Sequence, residues 1–106
     1  MNLNEWAKEI HENAKNHGWW DDDRSFGDVI ALCHSELSEA LEEYRNGKPA
    51  LYIENGKPEG TAVEMADCLI RILDWFGHEG INPEKIVGVK HHYNLGRPHR
   101  HGGKKL

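Results

Sequence analysis

Apolar residues recur every three or four positions along two stretches in the first half of the chain, a spacing typical of helices that bury one face. The first predicted helix runs from about Leu3 to His17, where Gly18 ends it. The second runs from about Phe26 to Arg45, behind a capping box predicted at Ser25 and Asp28. We expect the apolar stripe of this second helix to face the core; it consists of Phe26, Ile30, Cys33, Leu37, Leu41 and Tyr44.

A third predicted helix, from about Glu59 to His78, is apolar on nearly every side. Its one continuous polar seam consists of Glu64, Asp67, Arg71 and Asp74, spaced i, i+3, i+7 and i+10. A helix this apolar is buried on most sides, and a single subunit of 106 residues offers too few partners for it, so we expect a subunit interface. An alternative interpretation of the seam is a narrow solvent-facing stripe in which Arg71 pairs with its acidic neighbours.

The remaining elements are short. A fourth helix is predicted from Pro83 to Tyr93 or Leu95, because a capping asparagine precedes a proline at the first helical position. Two similar segments, Asn46 to Pro49 and Asn55 to Pro58, are typical of turns, with a short extended arm predicted between them. We therefore predict an all-α fold in a single domain over residues 1–106, ending in a basic tail at about 96–106.

The composition bounds the class of protein. Hydrophobic residues make up 38% and charged residues 29% of the chain, an ordinary balance for one globular domain with a modest core. No apolar run approaches the roughly 18 residues that a membrane span needs, and the chain starts without an apolar signal segment. We therefore expect a cytoplasmic location and no membrane partner. The two cysteines, Cys33 and Cys68, lie in apolar helical stretches and are predicted to be buried free thiols.

Charge is divided unevenly along the chain. Residues 1–87 contain 18 acidic and 8 basic side chains, a balance of −10, whereas residues 88–106 contain 5 basic side chains and no acidic one. A body this acidic is a poor surface for nucleic acid, so we expect no nucleic-acid partner. An acidic body that binds a cation, followed by a basic tail, favours a metal-bound, multiply charged small anion as the ligand.

Two acidic pairs, Glu36/Glu39 and Glu64/Asp67, lie on the second and third predicted helices. Their i, i+3 spacing points both carboxylates of a pair to one side of its helix. Like charges this close repel one another unless a cation lies between them. Carboxylates converging from two packed helices would form an all-oxygen site, which suits Mg²⁺ or Mn²⁺ and suits Zn²⁺ poorly. The alternative is a solvated acidic edge on each helix.

Several segments of the chain resemble the MazG-like nucleoside triphosphate pyrophosphohydrolases: His34 to Glu43, Glu59 to Asp67, Lys90 to Pro98 and His101 to Lys104. The Gly18-Trp19-Trp20 and Arg24 to Gly27 segments look like one subgroup of that family, so the resemblance covers nearly the whole chain. It implies an all-α, four-helix subunit that assembles into a helical-bundle homodimer or homotetramer. It also implies Mg²⁺-dependent hydrolysis of nucleoside triphosphates, such as deoxynucleoside or non-standard ones, to monophosphate and pyrophosphate in nucleotide-pool house-cleaning.

Carried over by position, the resemblance implies that the metal ligands are Glu36, Glu39, Glu64 and Asp67. A shifted alignment would use Glu39 and Glu42 on the second helix; we favour Glu36 because it lies nearer the apolar stripe. Many members of the family carry a further Glu one helical turn earlier, where this chain has Leu32 and Cys33. We predict that Glu39 is the catalytic group that accepts the proton of the water attacking the α-phosphorus.

Positive groups are needed to neutralise the outer phosphates of such a substrate. The predicted substrate-binding residues are Lys90, Asn94, Arg97 and Lys104, with a flexible, solubilising tail as the alternative role for that segment. Trp20 is a further substrate-binding candidate, because it and its neighbour Trp19 are able to stack on a base, although packing in the core is the role that we favour for loop tryptophans beside a helix. A rival function for the whole chain is a non-catalytic helical dimerisation module whose acidic pairs are merely solvated.

Overall fold

The computed structural model describes residues 1–106 and is mainly helical, as the sequence predicts. The body consists of α1 (Leu3–Asn16), α2 (Phe26–Arg45) and α3 (Thr61–Glu79), and both α1 and α2 pack against α3. Helix α4 (Pro83–Leu95) packs against α1, and a single-turn helix that was not predicted, α5 (Arg100–Gly103), lies in the tail. The molecule measures 47 × 37 × 28 Å. None of its helices combines the length and the apolar character that crossing a membrane requires.

Local signals set the ends of the helices. The Ser25 hydroxyl accepts the Asp28 N–H at 3.0 Å, and the Asp28 carboxylate accepts the Ser25 N–H at 3.1 Å, which completes the predicted capping box. The Asn82 side chain accepts the Lys85 N–H at 3.0 Å at the start of α4. Gly80, with φ of 69°, ends α3 in the left-handed region that glycine adopts readily. These bonds form between neighbours in sequence, so the helix bounds were predictable to within about two residues.

A β-hairpin between α2 and α3 is the departure from the all-α prediction. Strands β1 (Tyr52–Glu54) and β2 (Lys57–Glu59) pair antiparallel, and Asn55 and Gly56 form the turn with φ of 52° and 78°. The predicted turn at this point is therefore the tip of a hairpin, and α3 begins after β2 and not at Glu59. Gly60 joins the hairpin to α3 at a point where a Cβ atom would overlap the backbone of Ala50.

The apolar stripe of α2 does not form the core of the subunit, which corrects that prediction. The buried residues of α2 are Val29, Cys33, Glu36 and Ala40. The remaining stripe residues are exposed: Phe26, Ile30, Leu37, Leu41 and Tyr44. Helical periodicity indicates that a face is apolar, but it does not say which neighbour covers that face. In this subunit α3 covers the adjacent face, which carries small and acidic residues.

Helix α3 is oriented in the same way, with its polar seam inside. Glu64 is buried, and Asp67, Arg71 and Asp74 are half-buried, so the interpretation of the seam as a solvent-facing stripe is wrong. The exposed side of α3 is apolar and includes Met65, Leu69, Ile70 and Ile72. Only 11 of the 106 residues are buried, so one subunit leaves much of its apolar surface uncovered. The small core contains the two predicted free thiols, Cys33 and Cys68, with Val29 between α2 and α3.

Candidate metal centre

The packing of α2 on α3 brings the two acidic pairs together. Glu36 and Glu64 are each only 8% exposed, which is unusual for a carboxylate that lacks a full set of partners. One carboxylate oxygen from each of Glu36, Glu64 and Asp67 lies within 4.8 Å of the others. The Glu39 carboxyl group is exposed and lies outside this group of three, but it is near enough to raise the pKa of Glu64. Three of the four predicted ligands therefore converge on one place in the fold; we call these three, with Glu39 at their edge, the acid cluster.

The acid cluster has few hydrogen-bond donors of its own. Arg71 donates to Glu36, and no other N–H or hydroxyl group of the chain donates to the side chains of Glu36, Glu39, Glu64 or Asp67. Buried carboxylates are ordinarily stabilised by donors or by a cation. A group of carboxylate oxygens that receives a single hydrogen bond from the protein fits a hard divalent cation such as Mg²⁺ or Mn²⁺.

Crowding changes the acidity of the cluster. Burial, contact with Glu39 and the charge of Asp67 raise the pKa of Glu64 to about 7. Burial also raises the pKa of Asp67, with Glu36 and Glu39 adding to the increase and Arg71 opposing it. Both shifts have the same physical cause, because burial and neighbouring negative charges disfavour the ionised carboxylates, and a bound cation would reduce that repulsion.

A second acidic group shares Glu64 with the first. Oxygens of Glu43, Glu59 and Glu64 also lie within 4.8 Å of one another. Here the protein supplies partners, because the Tyr52 hydroxyl donates to both oxygens of Glu43 at 3.0 and 3.2 Å, and Lys57 forms a 3.2 Å ion pair with Glu59. Burial and the bond to Glu43 raise the pKa of Tyr52 to about 12, so the phenol stays protonated. Side chains of the hairpin therefore supply partners to Glu43 and Glu59, and this second group adjoins the acid cluster through Glu64, which both groups share.

Glu42, the ligand in the shifted alignment, belongs to neither acidic group. It is exposed on α2, whereas Glu36 is buried against α3. The geometry therefore favours Glu36 over Glu42, whereas Glu39, which both alignments include, is exposed and also belongs to neither group.

The predicted substrate-binding residues of the C-terminal segment lie apart from the acid cluster within one subunit. Helix α4 packs on α1 and has no extensive contact with α2 or α3. No hydrogen bond or ion pair joins Lys90, Asn94, Arg97 or Lys104 to the acidic side chains. The charged ends of Lys90 and Arg97 instead lie over the Tyr93 ring, 5.0 and 5.4 Å from its centre. The Asn94 side-chain oxygen is buried without a hydrogen-bond partner. The substrate role of these residues stays a prediction.

The two loop tryptophans have different surroundings. The Trp20 ring stacks on His78 with 3.9 Å between centroids, and its N–H donates to both oxygens of Asp74 at 3.0 and 3.1 Å. These contacts match the packing role that the sequence favours for Trp20 over stacking on a base. Trp19 is 55% exposed and lies on the wall of a cavity beside the acid cluster.

That cavity, of about 750 Å³, runs between α1 and the face of α3 that carries the polar seam. Glu36, Asp67 and Arg71 line one side of it, and Trp6 and Trp19 line the other. Trp6 and Arg71 were not among the predicted site residues. The only sequence signals for them were the position of Trp6 in the apolar pattern of α1 and that of Arg71 within the acidic seam.

Comparison of the chain with models of known protein families, with curated protein sequences and with solved structures finds no match. The resemblance carried by the sequence motifs is therefore a basis for a proposal about function.

Proposed function

We propose that this protein is a Mg²⁺-dependent pyrophosphohydrolase that converts nucleoside triphosphates, such as deoxynucleoside or non-standard ones, to monophosphate and pyrophosphate in the cytoplasm. The observation that carries the proposal is the convergence of Glu36, Glu64 and Asp67, whose oxygens lie within 4.8 Å of one another beside a large cavity. A triphosphate is rich in negative charge and approaches carboxylates only when a cation lies between them. The acid cluster and the cavity therefore suit an anionic ligand that arrives with its metal.

In the proposed reaction, a water oxygen forms a bond to the α-phosphorus while the bond from that phosphorus to the oxygen bridging to the β-phosphorus breaks. Pyrophosphate leaves, and the proton of the water passes to a carboxylate. When bound, Mg²⁺ would supply positive charge for the phosphates and acidify water. Glu36, Glu64 and Asp67 would hold the cation. Glu39, more exposed than Glu36 and Glu64, remains our candidate for the proton acceptor.

The cavity supports a nucleoside as the rest of the substrate. Trp6 and Trp19 provide two exposed indole rings on its wall, and base–aromatic stacking contributes about 1–3 kcal/mol per base. Trp20 is stacked on His78 and bonded to Asp74. We therefore propose Trp19 as the stacking residue of the pair, because it is 55% exposed and only the Arg24 side chain lies over its ring. Stacking tolerates every base, so this arrangement does not by itself select one.

The exposed apolar faces of α2 and α3 support assembly into a homodimer or homotetramer. Leu37, Leu41, Met65 and Leu69 are each about half exposed in one subunit. Large apolar side chains exposed along two packed helices are typical of an interaction surface. The same surface also favours the rival function, a non-catalytic helical dimerisation module, so catalysis must be tested directly.

The deciding experiment measures pyrophosphate release from a panel of nucleoside triphosphates, with Mg²⁺ and with a chelator. We expect Mg²⁺-dependent release, lost in Glu64→Gln and retained in the matched control Glu79→Gln, which changes an exposed acid at the end of the same helix. Absence of release from every triphosphate by a folded, metal-loaded protein would favour the dimerisation module.

A further inference from the structure

Arg71 has one bond to the acid cluster and unused donors beside it. Its Nε donates to Glu36 Oε1 at 3.0 Å, which is the only hydrogen bond or ion pair that the side chain makes. The terminal amino groups of the guanidinium, which carry four further N–H donors, have no acceptor in the chain. The side chain is 29% exposed and lines the cavity next to Glu36 and Asp67.

The neighbouring acid on α3 does not compete for these donors. Asp74 lies three residues after Arg71 on the same face of the helix, where an ion pair with it would be ordinary. Its oxygens are engaged elsewhere: His11 Nδ1 lies 2.8 Å from Oδ1, and the Trp20 N–H donates to both oxygens. Asp74 makes no ion pair with Arg71, which leaves Glu36 as the one hydrogen-bond partner of the guanidinium.

The other basic groups near the acids make no bond to a proposed metal ligand. Lys57 is paired with Glu59 on the hairpin. Arg24 also lines the cavity, but its guanidinium lies over the rings of Trp19 and Trp20 at 5.5 and 5.6 Å and is bonded to no acid. Arg71 is therefore the cation that combines a bond to a proposed metal ligand with free donors facing the cavity. Guanidinium groups match phosphate oxygens in a forked geometry and remain charged at every physiological pH.

We infer that Arg71 is a phosphate-binding residue, which neutralises Glu36 in the absence of ligand and donates its terminal N–H groups to a phosphate of the triphosphate chain when the ligand is bound. This inference rests on the proposed function and names the residue that contacts the phosphates from within the same subunit. It differs from a purely structural role, in which Arg71 only compensates the buried charge of Glu36.

The test is calorimetric titration of the full chain with inorganic tripolyphosphate in the presence of Mg²⁺, alongside titration with Mn²⁺ alone. Loss of one charge-assisted contact lowers affinity roughly ten- to a hundredfold, and we expect that loss for tripolyphosphate in Arg71→Ala. Arg71→Lys keeps the positive charge but loses the forked arrangement of donors, so its affinity for tripolyphosphate should lie between those of the wild type and Arg71→Ala. Mn²⁺ affinity should be retained or increased, because Glu36 is released from its ion pair. Arg45→Ala, at the exposed end of α2, is the matched control and should bind tripolyphosphate as the wild type does.

The outcomes separate this inference from the proposed function. If the wild type binds Mg²⁺-tripolyphosphate through Arg71 yet cleaves no nucleoside triphosphate, the proposed activity fails and the phosphate-binding role stands. If the wild type is active and folded Arg71→Ala keeps both its tripolyphosphate affinity and its KM, the role is structural only and the inference is overturned. A wild type that binds no tripolyphosphate overturns it as well. Should Arg71→Ala not fold, the same criteria apply to Arg71→Lys.

Discussion

Gly77 of α3 lies directly against His11 of α1, so close that a Cβ atom at Gly77 would be 2.6 Å from the His11 Cβ and 3.0 Å from the Ala7 carbonyl oxygen. This contact sets the distance between α1 and α3, the two helices that form the walls of the cavity. The absence of a side chain at Gly77 thus permits His11 to reach Asp74.

We expect Gly77→Ala to destabilise the fold by about 1–3 kcal/mol, because helix backbones cannot separate without disturbing the packing around them. Gly88→Ala is the matched control, since Gly88 lies within α4 and no atom is found within 4 Å of the position that an alanine methyl group would take there. Alanine at this position should stabilise the helix by up to about 1 kcal/mol. Urea denaturation of both variants measures the difference; equal stability of Gly77→Ala and the wild type would contradict the close contact.

Glu64→Gln and Asp67→Asn should each remove Mg²⁺-dependent turnover and leave the helical circular dichroism unchanged. Loss of one charged ligand should lower Mg²⁺ affinity roughly ten- to a hundredfold. Without metal, both variants should be at least as stable as the wild type, because repulsion within the acid cluster falls. Glu42→Gln should retain activity. Inactivation by Glu42→Gln with full activity in Glu36→Gln would instead support the shifted alignment.

The stability of the metal-free protein should depend on pH through the acid cluster. Burial and contact with Glu39 raise the pKa of Glu64 to about 7, whereas an unfolded glutamate titrates near about 4.3. The folded state therefore binds more protons than the unfolded state between these values, so stability falls as pH rises through that window. The raised pKa of Asp67 acts in the same direction.

Thermal unfolding in a chelator at pH 5, 6, 7 and 8 checks this, compared with Glu64→Gln. The unfolding temperature of the variant should increasingly exceed that of the wild type as pH increases. Added Mg²⁺ should restore the stability of the wild type at pH 8. A wild type whose metal-free stability rises relative to the variant across this range would show that Glu64 is ionised without penalty.

The exposed apolar face should make the protein a dimer or tetramer. Light scattering at micromolar concentration should give a multiple of the 12.2 kDa subunit mass. Leu69→Glu places a charge on the exposed side of α3 and should dissociate or destabilise the assembly, whereas Leu106→Glu, at the fully exposed C-terminus, should not. A monomer mass for the wild type would refute the assembly.

Removal of residues 96–106, which include α5, should leave α1 to α4 folded, because the side chains of this tail are exposed apart from half-buried Arg97, which lies over Tyr93. If the tail contacts phosphate, its loss should weaken triphosphate binding roughly ten- to a hundredfold, and Arg97→Ala should reproduce much of that loss. Steady-state kinetics at low and high salt measures the effect, since exposed ionic contacts weaken as salt rises. Unchanged KM and kcat in the truncated protein would mean that the tail is only solubilising, leaving Lys90 and Asn94 as the candidates on α4.

Local chemistry in the sequence determined where the helices lie and which residues begin them. Ser25 with Asp28, the proline after Asn82 and the glycine at position 80 act through bonds between close neighbours, so no tertiary information was needed. The acidic pairs were predictable for the same reason, because i, i+3 spacing on a helix fixes which carboxylates share a side. The hairpin was missed, although its Asn55-Gly56 turn is a strong local signal, because the strands beside it are only three residues long.

Only the tertiary structure decided which side of each helix faces inward. The apolar stripe of α2 was expected inside the subunit, yet the fold buries Glu36 and Glu64 between α2 and α3. It also joins Arg71 to Glu36 across 35 residues of sequence and His11 to Asp74 across 63. Hydrophobic periodicity indicates that one face of a helix is apolar, but it does not specify which element covers that face. Ion pairs between residues distant in sequence depend on how the helices pack, which no local pattern specifies.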